Sequence, residues 1–313
     1  MQNNASDRAN AATRRQAIVI ANAGSRNGSK AYKEVPRLLR ERGVEVLDAR
    51  LVGTNREVCK LVKRAARRKQ PLIVVCGGDG TLSRAACVLA KRRSVLGIVP
   101  AGTGNSFALG IGIEDTFESA ADAIAFGHKS KIDLGRINGV YFTNFVTVGL
   151  DSNIADETQR PLKKLLGPAA YGVTGVVHIL RHRPFRADLR WKGHRLRVKT
   201  DQIIIANGRF YGHQPIAPSA TVDDGRLTIF VRETHSRLDV FQTYLALLRG
   251  EQHALDGVHL WSTPKTVKLR TSRKECVAVD GEAFGATPLR VSVVRRALRI
   301  MVPYTGVAPA LAS

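Results

Sequence analysis

Hydrophobic residues in the first 132 positions form short apolar runs separated by longer amphipathic stretches. Short apolar runs suit strands that are buried on both faces, so we predict strands at 17–21, 44–51, 72–76 and 95–99. Apolar residues that recur every three or four positions predict helices at 31–42, 55–69, 82–91 and 116–126. Strands that alternate with helices indicate an α/β domain on a parallel sheet, with its ligand beyond the carboxyl ends of the strands.

The pattern changes after residue 132, where most segments are short and alternate apolar with polar residues. They predict strands at 131–137, 140–148, 187–191, 202–206, 226–231, 267–271, 276–279, 289–294 and 298–302. A basic, helical stretch runs to about residue 183, and 238–248 has a second helical pattern. This order favours a β-rich, mainly antiparallel C-terminal domain. We therefore divide the chain into a disordered tail (1–15), an α/β domain (16–132), a β-rich domain (133–296) and a C-terminal strand (297–313).

The charge of the chain narrows the choice of partners. Its 313 residues carry 49 Lys and Arg against 26 Asp and Glu, a formal net charge of +23, which favours phosphates, nucleic acid or an acidic bilayer. With 44% apolar residues the chain can bury a sizeable core. Its four cysteines form no C-x-x-C pair, which argues against a zinc site or a disulfide framework and fits a reducing compartment. The uncharged run at 165–180 is too short to span a bilayer, and we expect a cytoplasmic protein.

Three glycine-rich loops follow predicted strands of the first domain: NAGSRNG at 22–28, GGDGT at 77–81 and PAGTGN at 100–105. Glycines let backbone N–H groups approach an anion closely, and a helix that starts directly afterwards adds its positive end. One such loop is most simply a tight turn, but three at successive strand ends favour phosphate binding. Thr54 begins the pattern of a helix capping box with Glu57, and a helix N-terminus at this rim also suits a nucleotide.

Carboxylates recur in two short motifs of the second domain, DDG at 223–225 and VDGE at 279–282. Both are also ordinary turn sequences. Their carboxylates matter because phosphoryl transfer needs a metal ion and a base near the attacking hydroxyl.

The ordered set of these motifs resembles the diacylglycerol kinase catalytic-domain superfamily, which includes bacterial lipid kinases and sphingosine kinases. The resemblance covers about residues 16–303. GGDGT alone is shared with NAD kinases, whereas the whole set is specific. It comprises GGDGT, PAGTGN, DLG at 133–135, FTNFVTVGLDS at 142–152, the NG…APSATVDDGRL block and VDGE.

The resemblance implies an active site in the cleft between an ATP-binding α/β domain and a mainly antiparallel β-sandwich domain, with ATP and Mg²⁺ as cofactors. It also implies that the C-terminal strand (297–313) returns to the first domain. It implies Glu282 as the general base, Asp280 beside it, and Asp79 at the Mg²⁺-bound nucleotide. A Mg²⁺ site held mainly by carbonyls would map to Thr221, Asp224 and Arg226. The implied nucleotide contacts are Asn22, Gly24, Ser25, Thr54, Gly77, Gly78, Asp79, Gly80, Thr81, Leu82, Ser83, Gly102, Thr103 and Asn105.

Three positions depart from the pattern of the superfamily. Ala23 stands where a proline is usual, Ser83 where an asparagine is usual, and Ser106 where an aspartate usually follows the asparagine of the second glycine loop. The loss of that aspartate weakens the case for a second metal-supporting carboxylate in the first domain.

We predict an ATP-dependent kinase that transfers the γ-phosphoryl group to a hydroxyl of diacylglycerol or a related lipid at a membrane surface. The alternatives are a sphingoid-base kinase, a soluble kinase of the NAD-kinase type, and a non-catalytic basic protein that binds membranes or nucleic acid.

The expected partners are a lipid alcohol and an anionic membrane. Residues 156–199 carry a net charge of +8 around the apolar run, which suits peripheral attachment but also a core helix with a solvated rim. Only 6% of the residues are aromatic, and the sequence has no nucleic-acid-binding motif, so no nucleic acid is expected. Whether the chain forms a homodimer is left open.

Overall fold

The computed structural model describes residues 15–149, 184–211, 214–216, 220–234, 236, 239, 242 and 257–304. Within these ranges the helices are α1 (Gly28–Glu41), α2 (Asn55–Arg67), α3 (Asp79–Leu89), α4 (Ser106–Gly110) and α5 (Phe117–Phe126). Three expectations fall outside the described residues: the tail at 1–14, the apolar run at 165–180, and the helical pattern at 238–248 apart from Asp239 and Gln242. No helix in the described ranges is long and apolar enough to cross a membrane.

The N-terminal half forms an α/β domain on parallel strands, as predicted. Its strands are β1 (Gln16–Asn22), β2 (Glu45–Val52), β3 (Leu72–Gly77) and β4 (Val95–Pro100), in the order β2-β1-β3-β4. Strands β3 and β4 are buried along their whole length, which explains their uninterrupted apolar sequences. Helix α1 packs with α5 and helix α2 with α3, and the carboxyl ends of β1, β3 and β4 lead into the three glycine-rich loops.

Two long strands join this sheet to the rest of the chain. Strand β5 (His128–Ile137) pairs antiparallel with β18 (Leu289–Val302), and β18 also pairs parallel with β4. The predicted domain boundaries, 132/133 and 296/297, therefore fall inside β5 and β18, and the division into domains stays a prediction.

The prediction of two separate strands at 289–294 and 298–302 is wrong, because β18 continues through a shift in register between Val294 and Leu298. At this point the carboxylate of buried Asp133 accepts the backbone N–H of Arg296 at 2.6 Å and that of Gly225 at 2.7 Å. The backbone N–H of Arg296, in the irregular part of β18, is thus hydrogen-bonded although it does not pair with a neighbouring strand.

The C-terminal half is a sandwich of two largely antiparallel sheets, which confirms the predicted fold class. One layer continues the first sheet through β18 and β15 to β8 and β9, and the other runs β14-β13-β10-β7-β16-β17. Phe142, Phe185, Leu189, Ile203 and Ile229 are among the buried side chains between the layers. The further strands are β6 (Val140–Phe142), β7 (Phe145–Gly149), β8 (Phe185–Trp191), β9 (His194–Thr200), β10 (Gln202–Ala206), β11 (Phe210–Tyr211), β12 (Gln214–Pro215), β13 (Leu227–Arg232), β14 (Val258–Thr263), β15 (Val267–Thr271), β16 (Cys276–Val279) and β17 (Glu282–Ala286).

The predicted strand at 140–148 is divided into β6 and β7 by a turn at Thr143 and Asn144. The N–H groups of this turn donate to the carboxylate of Asp280, so they are not available to a strand ladder. Strands β9, β14 and β17 were not predicted, because polar residues or glycine interrupt their short apolar patterns.

Candidate active site

The three glycine-rich loops meet at the open edge of the parallel strands. The N–H of Asn27 donates to the carbonyl of Ala101 at 2.9 Å, and the N–H of Ala101 donates to the carbonyl of Gly77 at 2.9 Å. A Cβ atom added to Gly102 would lie 2.5 Å from the Cα atom of Gly78, so the second and third loops touch through their backbones. Only glycine permits so close an approach of two backbones. The approach leaves backbone N–H and C=O groups at this edge.

A side-chain network joins the first loop to the starts of two helices. The buried Asn22 donates from Nδ2 to Oδ1 of Asn55 at 2.9 Å and to Oγ1 of Thr81 at 2.8 Å. Thr81 donates in turn to Oδ1 of Asn55 at 2.7 Å, and Oδ1 of Asn22 accepts the N–H of Gly24 at 3.0 Å. Asn55 was not predicted as a site residue; the available signal was its place as the first residue of the capped helix α2.

Ser25 and Thr81 complete the connection between the first two loops. Oγ of Ser25 accepts the N–H of Gly78 at 3.2 Å and lies 3.5 Å from Oγ1 of Thr81. The structure therefore brings the predicted Asn22, Ser25 and Thr81 together.

Asp79 is the first residue of α3, and its carboxylate turns towards the PAGTGN loop. Its Oδ1 accepts the N–H of Phe107 at 2.9 Å, and a Cβ atom added to Gly104 would lie 3.0 Å from its Oδ2. The carboxylate is thus held between the second and third loops, where a negative charge can hold a cation that accompanies phosphates.

Asn105 shapes the third loop from within. It is buried with a φ of 47°, and its Oδ1 accepts the N–H of Gly102 at 3.0 Å. Its Nδ2 donates to Asp115 at 2.7 Å, a contact that no motif pointed to. Of the remaining predicted contacts, Leu82 is fully buried in the core and Thr103 is exposed on the loop.

Thr54 forms the predicted capping box at the start of α2. Its Oγ1 accepts the N–H of Glu57 at 3.3 Å, and the Glu57 carboxylate accepts the N–H of Thr54 at 3.1 Å. The hydrogen bond from the Thr54 side chain, followed by that from the Gly53 N–H, lowers the pKa of Glu57. The capping box holds Thr54, the residue directly before Asn55, and so helps to position Asn55 in the side-chain network.

Asp280 contributes a carboxylate that is occupied on both oxygens. Its Oδ1 accepts the N–H groups of Asn144 at 2.8 Å and Phe145 at 3.0 Å, and its Oδ2 accepts the N–H and hydroxyl of Thr143 at 2.9 and 3.0 Å. Ser83 on α3 also donates its hydroxyl to Oδ2. With five donors, Asp280 is suited to holding α3 against the β6–β7 turn; its predicted part in catalysis stays a prediction.

Glu282 reaches the first turn of α3 from the opposite sheet. Asp280 and Gly281, with φ angles of 49° and 79°, form the two-residue turn between β16 and β17. A Cβ atom added to Gly80 would lie 2.8 Å from Oε1 of Glu282, so the carboxylate faces the GGDGT loop. It pairs with the guanidinium of Arg84, whose pKa this hydrogen bond raises. Arg84 was not predicted; its place one helical turn after Gly80 was the only signal.

A cleft of about 320 Å³ opens beside this ion pair, between α3, β6 and the β16–β17 turn. Its walls include the partly exposed side chains of Val140 and Phe284. Burial raises the pKa of the Cys87 thiol to about 12, so this cysteine is not a thiolate at neutral pH. The cleft combines a carboxylate at one end with apolar walls.

Comparisons with known proteins identify the family of this chain. Residues 16–137 match the family described as diacylglycerol kinase catalytic domain, and residues 144–302 match the YegS C-terminal NAD kinase beta sandwich-like domain. The chain belongs to the diacylglycerol kinase superfamily. This membership supports a lipid kinase, and the predicted resemblance is confirmed.

Similar members of the superfamily cover most of the chain. A probable lipid kinase YegS-like of Pseudomonas aeruginosa is 32% identical over 295 residues, which are 91% of this chain and 94% of that protein. A diacylglycerol kinase of Bacillus subtilis is 29% identical and covers 77% of this chain and 80% of its own length. The crystal structure of a putative diacylglycerol kinase from Bacillus anthracis has the same fold, with a TM-score of 0.76, 23% identity and coverage of 94% and 96%.

The DDG turn, to which the superfamily pattern assigned a metal ion, is occupied by a cationic side chain. Asp224 accepts the N–H groups of Arg226 at 2.7 Å and Thr221 at 3.3 Å, and burial raises its pKa. The guanidinium of Arg295 packs on Gly225 and lies 3.4 Å from the carbonyl oxygen of Asp224. A divalent cation at this turn would face that positive charge, and the predicted metal site at Thr221, Asp224 and Arg226 stays a prediction. The described residues also contain no cluster of three His, Cys, Asp or Glu suited to a metal.

Proposed function

We propose that this kinase transfers the γ-phosphoryl group of ATP to a hydroxyl of diacylglycerol or a related lipid alcohol. One observation carries the proposal: the Glu282 carboxylate, on the second sheet, lies directly over Gly80 in the phosphate-type loop of the first. A potential base and a potential phosphate site thus face each other across the cleft, as phosphoryl transfer requires.

The glycine loops are suited to the phosphates of ATP. The three loops lie against one another, and α3 starts directly after Gly78, so the positive end of this helix favours an anion. Ser25 and Thr81 add hydroxyl groups at the same edge. Mg²⁺ that arrives with ATP would neutralise phosphate charge, and the Asp79 carboxylate is the acidic group of this edge that would hold it.

Glu282 is suited to accept the proton of the attacking hydroxyl. As the lipid oxygen bonds to the γ-phosphorus, the bond from that phosphorus to the bridging oxygen breaks and ADP leaves. The proton of the hydroxyl passes to the Glu282 carboxylate and later to water. Arg84 orients this carboxylate, and Asp280 holds the turn that carries it.

The cleft beside Glu282 favours an acceptor with an apolar body. Val140 and Phe284 are 51% and 36% exposed, so their surface is available to an acyl chain whose hydroxyl reaches Glu282. Since the acceptor is a lipid, we also propose that the protein works at the surface of a membrane.

The proposal is tested with labelled ATP, Mg²⁺ and a panel of acceptors: diacylglycerol, monoacylglycerol, sphingosine and NAD, with mass spectrometry of the products. We expect phosphorylated diacylglycerol or a close analogue, and no product without Mg²⁺. Transfer to sphingosine alone would establish the sphingoid-base alternative, and transfer to NAD alone the soluble one. A folded protein that binds ATP but phosphorylates none of them would contradict the proposal.

A further inference from the structure

The outer face of the sandwich layer formed by β8, β9 and β15 carries an unusual density of positive charge. On each strand the inward residues, such as Leu189 on β8 and Leu269 on β15, are buried in the core. The alternate residues therefore point outwards. On β8 and β9 the exposed outward cations are Arg186, Arg190, Arg195, Arg197 and Lys199.

Strand β15 extends this face with two more exposed cations, Lys268 and Arg270. The eight outward positions of the three strands thus hold seven cations and one carboxylate, that of Asp188. We call these eight positions the basic sheet face.

The strand register sets like charges opposite each other on this face. Arg186 pairs with Lys199, and Arg190 pairs with Arg195 on one side and with Lys268 on the other. Directly opposed like charges destabilise a sheet. An anion bound from outside would reduce this repulsion.

Asp188 is shared by several of the surrounding cations. Its carboxylate lies 2.8 Å from Arg190, 2.6 Å from Arg195 and 3.9 Å from Arg197. Hydrogen bonds from Arg190 and Arg195 hold its pKa well below the usual range. One charge cannot neutralise three guanidinium groups, so the face keeps a large positive excess.

We propose that the basic sheet face docks the kinase on the surface of an anionic phospholipid bilayer. This inference rests on the proposed lipid acceptor, since an enzyme that phosphorylates a membrane lipid must work at the bilayer. A depression of about 460 Å³ on the face, lined by Arg186, Arg197, Lys199 and Arg270, offers space for a phosphate headgroup among cations. None of the eight outward positions carries an aromatic ring on which a nucleic-acid base could stack. The chemistry therefore favours lipid phosphates.

The test measures sedimentation of the full chain with vesicles, without ATP. Vesicles of phosphatidylcholine alone are compared with vesicles that contain equal parts of phosphatidylglycerol, from 0.05 to 0.5 M salt. We expect binding only with phosphatidylglycerol, weakening as the salt concentration rises. Equal binding to neutral vesicles would overturn the proposal.

Two variants with the same net charge locate the surface. The triple variant R186Q/K199Q/R270Q removes three charges from the face, and K60Q/K63Q/R67Q removes three from exposed positions of α2. We expect the first to weaken binding to anionic vesicles by about tenfold to hundredfold and the second by less than about threefold. Equal losses would mean that net charge alone attracts the protein, and would reject the face.

Two further measurements separate this inference from its rivals. If single-stranded RNA binds more tightly than the anionic vesicles and only the face variant loses it, the face is a nucleic-acid surface and the proposal is wrong. Kinase activity on an acceptor dispersed in detergent should be unchanged in the face variant. Anionic vesicle binding that is lost in the face variant, from a protein that phosphorylates no lipid, would refute the proposed function but keep the docking surface.

Discussion

The GGDGT and VDGE turns face each other across the cleft but are built in different ways. The first is fixed within its own half of the chain, by the close approach of Gly78 to Gly102 and by side-chain hydrogen bonds of Asp79 and Thr81. The second presents two carboxylates, of which Asp280 accepts five hydrogen bonds and Glu282 pairs with Arg84. The first turn is thus held within one half of the molecule, whereas the carboxylates of the second make contacts across the cleft.

The two carboxylates of VDGE also differ from each other, although one residue separates them. Asp280 joins the two halves of the molecule, and Glu282 is partly exposed at the cleft. Substitution of Asp280 should therefore affect stability first, and substitution of Glu282 should affect turnover first.

The largest effect is expected from Glu282→Gln, which keeps the size of the side chain and removes its basicity. The value of kcat should fall by about 10²–10⁴-fold, the range for loss of a general base. ATP affinity should barely change, because the proposed nucleotide site lies in the glycine loops, which this substitution leaves intact. Steady-state kinetics and an ATP titration check this, with Glu34→Gln on the surface of α1 as the matched control. Wild-type turnover would refute the assignment of the base.

Asp79→Asn tests the other turn. If the carboxylate organises the Mg²⁺-bound nucleotide, the rate should fall by about 10²-fold or more, the scale for loss of a key electrostatic group. The fold should stay intact, because the asparagine oxygen can still accept the N–H of Phe107. The control is Asp48→Asn on the exposed strand β2. Near-normal turnover of folded protein would exclude this role for Asp79.

Asp280→Asn should lower the free energy of unfolding by about 2–3 kcal/mol. The substitution replaces one carboxylate oxygen by an N–H₂ group, which cannot accept the hydrogen bonds that this oxygen now accepts. Chemical denaturation measures the change, and Asp223→Asn, exposed on the DDG turn, is the control. A stable Asp280→Asn protein with a large loss of kcat would instead favour the predicted catalytic role.

Arg84→Gln examines the contact between the two turns. A freer Glu282 carboxylate should lower kcat by about tenfold with little change in KM for ATP, equivalent to about 1.4 kcal/mol of orientation. Arg84→Lys should restore part of the loss, since it keeps the charge. Equal activity of all three proteins would show that the ion pair has no positioning role.

The smallest effect is expected from Thr54→Ala, which removes the capping box of α2. Loss of an N-cap costs about 1 kcal/mol of stability. Thermal unfolding checks this value, with Thr116→Ala at the N-cap of α5 as a matched change outside the Asn55 network. If the two variants lose the same stability but only Thr54→Ala weakens ATP binding, the Asn55 network depends on the cap.

Much of the edge that carries the glycine-rich loops could be predicted from the sequence, because the signals for its strands, loops and helix cap are local. Apolar runs predicted β3 and β4, the glycines after them predicted the loops, and the Thr54–Glu57 spacing predicted the cap. Each depends on residues within a few positions, where backbone conformation and side-chain spacing decide the structure.

The tertiary structure alone decided how the carboxylates are used. Asp280 meets Ser83 across 197 positions of the chain, and Glu282 meets Arg84 across 198. Asp133 binds the irregular backbone at Arg296, where β18 continues through its shift in register. The register of β8, β9 and β15 brings the cations of the basic sheet face together. The sequence by itself determined the fold class and the motifs. It could not determine these contacts, because a carboxylate in a turn has the same local pattern whether it meets an amide, a guanidinium or water.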